Sequence, residues 1–88
     1  MTASYSVRIK QDAEKELRKL PRADLARVVA RIRKLASEPR PVGVEKLSTL
    51  ERYRVRQGDW RVSYEIDDKR QQVTVYKIGH RREVYRRP

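Results

Sequence analysis

The stretch YRVRQGDWRV, Tyr53 to Val62, places three guanidinium side chains within eight residues of one another. Gly58 and Asp59 sit between two runs of alternating apolar and polar residues, which predicts a tight β-hairpin. Glycine in the first turn position favours a type II′ turn. A two-residue turn then sets Gln57 opposite Trp60, Arg56 opposite Arg61, Val55 opposite Val62 and Tyr53 opposite Tyr64. In that register every apolar residue falls on one face, and Arg54, Arg56, Arg61 and Ser63 fall on the other. Like charges directly opposite on adjacent strands are unfavourable, and Glu65, further along the same face, relieves only part of the repulsion. An anion on that face removes the tension. The forked donors of arginine match phosphate oxygens, so phosphate chemistry is the first reading of the stretch. A solvated, salt-screened outer face is the plain alternative.

The C-terminal stretch IGHRREVY adds a second set of candidates. Gly79 is expected to turn the chain sharply after the last strand. His80, Arg81, Arg82 and Tyr85 then lie within a few residues of the sheet edge. His80 is the only histidine, and histidine titrates near neutrality unperturbed. It reads either as a proton carrier or as an exposed bystander. Tyr85 either packs its ring on the core or presents it, or its hydroxyl, to a nucleotide.

The elements that must position these residues follow from the hydrophobic periods. Tyr5, Val7 and Ile9 alternate with polar residues and predict a strand. Asp12 is expected to cap a short helix holding Ala13, Leu17 and Leu20, which Pro21 ends. A second helix carries Leu25, Val28, Val29, Ile32, Leu35 and Ala36 on one stripe, with Arg22, Arg27, Arg31, Arg33 and Lys34 on its other side. Pro39 and Pro41 stop it. Residues 38–51 read as a loop. Three strand candidates follow, around Tyr53 and Val55, Trp60 to Ile66, and Val73 and Val75. The order is β-α-α-β-β-β. It predicts an α+β fold, a mainly antiparallel four-stranded sheet with an N-terminal helix hairpin on one face.

Composition bounds the rest. The chain has 88 residues and is expected to form a single domain, residues 1–88. Its 23 Lys and Arg against 12 Asp and Glu give a net charge of +11, which attracts polyanions at long range. Nucleic acid or an acidic protein is the expected partner. A membrane surface is disfavoured, because the basic residues are not confined to one amphipathic helix. The absence of cysteine excludes disulfides and thiolate metal sites and points to a reducing compartment. The N-terminal MTASYSVRIK lacks the apolar centre of a signal peptide. A cytoplasmic location is the expectation.

Taken together, YRVRQGDWRVSYEID, a polar turn, and VTVYKIGHRREVY resemble the RelE/ParE superfamily of bacterial toxins, in particular its RelE branch. The resemblance spans nearly the whole chain. It implies a small endoribonuclease that cuts messenger RNA, typically in the ribosomal A site. The RNA's own 2′-hydroxyl is the nucleophile, and neither metal nor cofactor takes part. It also implies a cognate antitoxin, an acidic and partly helical peptide that wraps the toxin. Carried onto this chain, the family's basic hairpin positions fall on Arg54 and Arg56, the next strand's arginine on Arg61, the late arginine on Arg81 and the late tyrosine on Tyr85. Arg82 can exchange roles with Arg81. The expected proton donor to the leaving 5′-oxygen is Arg81 or His80. Some members carry lysine where this chain has Arg54 and Arg56, and arginine is a poor base, so the general base is unassigned. Two rival functions are a ParE-like toxin that poisons DNA gyrase and a basic nucleic-acid-binding module without chemistry.

Overall fold

The computed structural model describes residues 4–47 and 50–81. The elements run β1 (Ser6–Ile9), α1 (Gln11–Arg18), α2 (Arg22–Lys34), β2 (Glu45–Lys46), β3 (Arg52–Gln57), β4 (Trp60–Asp67) and β5 (Gln72–His80). The strands form one sheet in the order β1-β5-β4-β3-β2. β1 lies parallel to β5, and the remaining neighbours are antiparallel. The α+β class and the helix hairpin are as expected, but the sheet has five strands rather than four. The extra strand, β2, falls inside the segment read as loop. Two residues are too few to show an alternation, and Pro41 and Gly43 just before them mask it. Among the described residues no helix is long and apolar enough to cross a membrane.

The helices form because their apolar residues recur on one stripe. Ala13, Leu17 and Leu20 are buried from the first helical segment, and Val28, Ile32 and Leu35 from the second. Asp12 is not the N-cap of α1. That position belongs to Lys10, which makes no side-chain cap. The Lys10 amide instead bonds the Val75 carbonyl at 2.8 Å, so the parallel pairing with β5 carries the chain directly into the helix. Asp12 and Glu14 lie in the first turn, where carboxylates meet the positive end of the helix dipole. Opposite the helices the sheet buries Tyr53, Val55, Val62, Tyr64, Ile66, Val73, Val75 and Ile78. Burial of these side chains supplies most of the folding drive, at about 1.5–3 kcal/mol for each large aliphatic.

The β3–β4 register is the expected one at each pair from Gln57↔Trp60 to Tyr53↔Tyr64. Gly58 has φ 61°, and Gln71 is the only non-glycine at positive φ among the described residues. Asp59 therefore keeps a negative φ, as a type II′ turn requires and a type I′ turn does not. The β4–β5 ladder breaks between Ser63 and Tyr64, because Ser63 pairs with Lys77 while Tyr64 pairs with Val75. Tyr76 is the extra residue of a β-bulge. The bulge lets Val75 and Ile78, three positions apart, both reach the core. It also reverses which face every later residue of β5 occupies.

One polar network ties down the far end of the sheet. Arg40, in the link after α2, donates to Glu51 at 2.6 Å, to both Asp68 oxygens at 2.9 and 3.2 Å, and to the Tyr53 hydroxyl at 3.0 Å. Tyr5 also donates to Asp68, at 2.6 Å, and Lys46 of β2 donates to Glu51 at 3.2 Å. The Arg40, Tyr53 and Lys46 donors hold the Glu51 carboxyl down at about 2, and Arg40 with Tyr5 lowers Asp68 in the same direction. A carboxyl that binds protons less tightly folded than unfolded contributes stability above its ordinary pKa, about 4.3 for glutamate. That contribution is lost as pH falls through the folded value. The melting temperature is therefore expected to drop from pH 4.5 towards pH 2, and thermal melts should show a shallower drop in Arg40→Ala.

Candidate active site

The face of the sheet turned away from the helices is built from the alternate residues of β3, β4 and β5. One row across it runs Glu45, Arg54, Ser63 and Lys77. The next row, nearer the Gly58 turn, runs Arg56, Arg61 and Gly79. Strand pairing alone therefore brings Arg54, Arg56 and Arg61 onto one surface, with neighbouring strands about 4.8 Å apart.

Their environments differ. Arg61 is the most enclosed, at 5% exposure, and Ser63 beside it is at 4%. The Arg61 Nη1 donates to the Gly58 and Trp60 carbonyls, both at 3.3 Å. Those bonds lie beyond the usual 2.7–3.2 Å range, so a phosphate oxygen competes well for the same donor. Gly79, directly opposite on β5, has no side chain to fill the space beside Arg61. Arg54 is drawn in towards β2 by Glu45, whose Oε1 accepts from Nε at 3.2 Å and forms an ion pair with Nη2 at 3.2 Å. Arg56 is exposed. Arg81 follows the end of β5, and its amide donates to the Asp59 carbonyl at 2.7 Å. Its guanidinium approaches the Asp59 carboxylate at 3.9 Å. Arg61 and Arg81 thus both gather at the Gly58–Asp59 turn, from β4 and from the end of β5.

Two expectations at this end change. Gly79 does not turn the chain; it lies within β5, buried opposite Arg61. His80 pairs with Trp60 and meets its ring edge-on, with centroids 5.3 Å apart. Trp60 packs against the core, so His80 is on the helix side of the sheet, away from the arginines. The bulge at Tyr76 causes this, because unbroken alternation from Val73 would set His80 among them. A proton-donating role for His80 does not fit that position. His80→Gln is expected to leave unchanged the RNA cleavage that the family resemblance implies, which a single-turnover assay checks. Arg82 and Tyr85 lie outside the described residues.

Two residues of this face escaped the sequence reading. Glu45 was hidden by the brevity of β2, and Lys77 by the bulge. Spacing of Val75 and Ile78 by three rather than two is the signal that points to the bulge. Among the described residues no group of three or more His, Asp or Glu side chains is placed to hold a metal ion.

Comparison with known proteins bears on this arrangement. Residues 7–85 match the family described as the ParE toxin of type II toxin–antitoxin system, parDE. The chain is 36% identical over 85 residues to Toxin RelG of Mycobacterium tuberculosis, covering 94% of this chain and 98% of that protein. In structure it is similar to a chain of the toxin–antitoxin complex RelBE2 from Mycobacterium tuberculosis. The TM-score there is 0.80 at 32% identity, over 92% of this chain and 95% of that one. It is also similar to a chain of the archaeal RelE–RelB complex from Pyrococcus horikoshii, with a TM-score of 0.78 at 28% identity, over 89% and 96% of the two chains.

Proposed function

The chain belongs to the RelE/ParE superfamily of toxins of type II toxin–antitoxin systems, and on that premise we propose that it is an endoribonuclease that cuts messenger RNA on the ribosome. The observation that carries this reading is the pair of rows Arg54–Ser63 and Arg56–Arg61–Gly79, with Arg81 at the adjoining turn. Cations crowded on one pleated face suit a ribose–phosphate linkage. Arg61 and Arg56 take the non-bridging phosphate oxygens and stabilise the charge that builds on them in the transition state. Arg54 adds to the same field. Arg81 donates to the leaving 5′-oxygen, and Tyr85 is assigned to orient the 2′-hydroxyl or stack on the adjacent base. Arg82 contributes charge to RNA binding. In-line geometry imposed by the ribosome supplies the remaining alignment.

The partner proposed for silencing is a cognate antitoxin. The RelBE2 and archaeal RelE–RelB relatives were crystallised as complexes. On this chain an apolar groove of about 420 Å³ runs between β1 and α2, lined by Tyr5, Val7, Ile9, Val29, Ile32 and Ala36, with Arg33 beside them. β1 is the outermost strand of the sheet there. An acidic, amphipathic segment that folds as it binds suits both the groove and the +11 charge.

The ParE description of the matched family favours a second reading, a gyrase poison without nuclease chemistry. Cell-free translation with purified protein separates the two. The nuclease reading expects message cut only while ribosomes engage it, with DNA supercoiling by gyrase unaffected. Intact message alongside blocked supercoiling would replace it with the gyrase reading. Salt-sensitive RNA binding with intact RNA and active gyrase would leave a plain binding module.

A further inference from the structure

Tyr76 is the residue that the bulge inserts, and no step of the reaction above uses it. At a bulge two residues of one strand stand against one of its partner, so Tyr76 and Lys77 share the place beside Ser63. The Tyr76 ring lies on the arginine face. The guanidinium of Arg52, which points outward from β3 as the neighbour of buried Tyr53, covers it at 5.5 Å from the centroid. Glu65 holds Arg52 there at 2.9 Å. The rings of Tyr5, Tyr53, Trp60 and Tyr64 all belong to the core or pack against it. Among the described residues Tyr76 is thus the one aromatic side chain on the cation surface, and it is only half-buried.

The pairing of β1 with β5 ends at Val75, and α1 begins two residues after β1. Beyond that point a groove of about 780 Å³ runs between α1 and β5, with Tyr76, Lys77 and Gly79 on the strand side. Sites for small ligands typically occupy about 300–1,000 Å³. Four Lys and Arg side chains and two carboxylates contribute to the lining. Arg18 and Lys19 pair with glutamates of their own helix. Lys15 and Lys77, both exposed, stay available to an anion. Gly79 belongs to this lining and also stands opposite Arg61, so the groove opens directly from the row assigned to the phosphate. An aromatic ring beside a positive groove is the combination that binds single-stranded nucleic acid: the base stacks while the cations follow the backbone.

We propose that Tyr76 and this groove form a second nucleotide subsite, in which the base of a message nucleotide near the cleaved linkage stacks on Tyr76 while Lys15 and Lys77 meet its phosphate; this rests on the nuclease reading above. Tyr76 is a positioning residue, because it does not touch the reacting atoms. Stacking anchors the strand on one side of the linkage and so narrows the geometries open to the ribose–phosphate over Arg61. Every base has a π-face, so the subsite sets affinity and alignment and accepts all four bases.

The test is single-turnover cleavage of a defined message on purified, programmed ribosomes. Protein concentration is varied so that half-saturation and limiting rate are read separately. Tyr76→Leu keeps apolar bulk but removes the ring. It is expected to lower the ratio of limiting rate to half-saturating concentration by about 5–150-fold. Tyr76→Phe keeps the ring and is expected to recover most of that loss. Lys15→Glu, on the exposed side of α1, is expected to raise the half-saturating concentration more than it lowers the limiting rate. A second set of substrates frees the test from the folding of any variant. Messages with one abasic nucleotide, placed in turn at the two positions on either side of the cut, are given to the wild type and to Tyr76→Leu. At one position the wild type is expected to slow to the Tyr76→Leu rate, and there Tyr76→Leu should lose nothing further. A folded Tyr76→Leu protein that cuts as the wild type does overturns the inference. So does a loss that Tyr76→Phe does not recover, or a set of abasic messages that affects both proteins equally at every position. If the wild type leaves the intact message uncut on these ribosomes, the nuclease reading fails and takes this inference with it. That failure is visible without any substitution.

Discussion

Arg61→Ala is expected to slow message cleavage by roughly 10²–10³-fold, equivalent to ~3–4 kcal/mol in the barrier, while the protein stays folded. Arg61 is enclosed between Arg56 on β3 and the bare Gly79 on β5. A donor already desolvated and oriented loses little when a phosphate arrives, and so it contributes more to the transition state than an exposed lysine does. Two of its bonds, to the Gly58 and Trp60 carbonyls, are long, and Gly58 is exposed, so its carbonyl can turn to water. Arg61→Lys keeps the charge but not the fork and is expected to fall between wild type and Ala. Arg81→Ala is expected to act in the same direction, through the leaving oxygen. Single-turnover cleavage on programmed ribosomes, with a urea melt of each variant, measures both effects. Full activity in a folded Arg61→Ala protein would remove Arg61 from the mechanism.

The largest expected loss of stability belongs to Tyr64→Ala. Tyr64 is completely buried, its ring stacks on Tyr53 with centroids 6.0 Å apart, and its hydroxyl donates to the Pro39 carbonyl at 2.6 Å. Burial pushes its ionisation well above the ordinary tyrosine value, so the hydroxyl stays a donor throughout the working pH range. Truncation of a large buried aromatic to alanine typically costs about 3–5 kcal/mol. A domain of 88 residues has a total of only roughly 4–13 kcal/mol to lose. Urea denaturation is therefore expected to show Tyr64→Ala at the edge of unfolding. Tyr64→Phe, which loses only the hydrogen bond, is expected to cost about 1–2 kcal/mol. Because Pro39 neighbours Arg40, the same hydroxyl helps hold the link that carries β2 and Glu45.

The β3–β4 hairpin was fully legible in the sequence because two unbroken alternations flank a Gly-Asp turn, and a slip of one residue would have turned Val55 and Val62 outward. The helix stripes were legible for the same reason, with Leu17, Leu20, Val28, Ile32 and Leu35 at helical spacing. Three features were not. β2 has two residues, and no period can be read from two. The bulge at Tyr76 breaks the period of β5, and a single inserted residue carries His80 to the helix side and Gly79 to the arginine side. Lys10 starts α1 through a backbone bond to Val75, a long-range contact that no local capping pattern encodes. These misses are linked in their effect on the site. The sequence places a histidine where the fold places a glycine, and it leaves unnoticed a carboxylate that the fold sets beside Arg54. Within the arginine set, Arg54, Arg56 and Arg61 share a face as their alternation requires.

The most direct measurement is the mapping of 5′-hydroxyl RNA ends after brief induction of the protein in growing cells. A nuclease built on this face predicts new ends inside coding regions, phased to the reading frame, that disappear when Arg61→Ala replaces the wild type. Growth arrest with no new in-frame ends would contradict it.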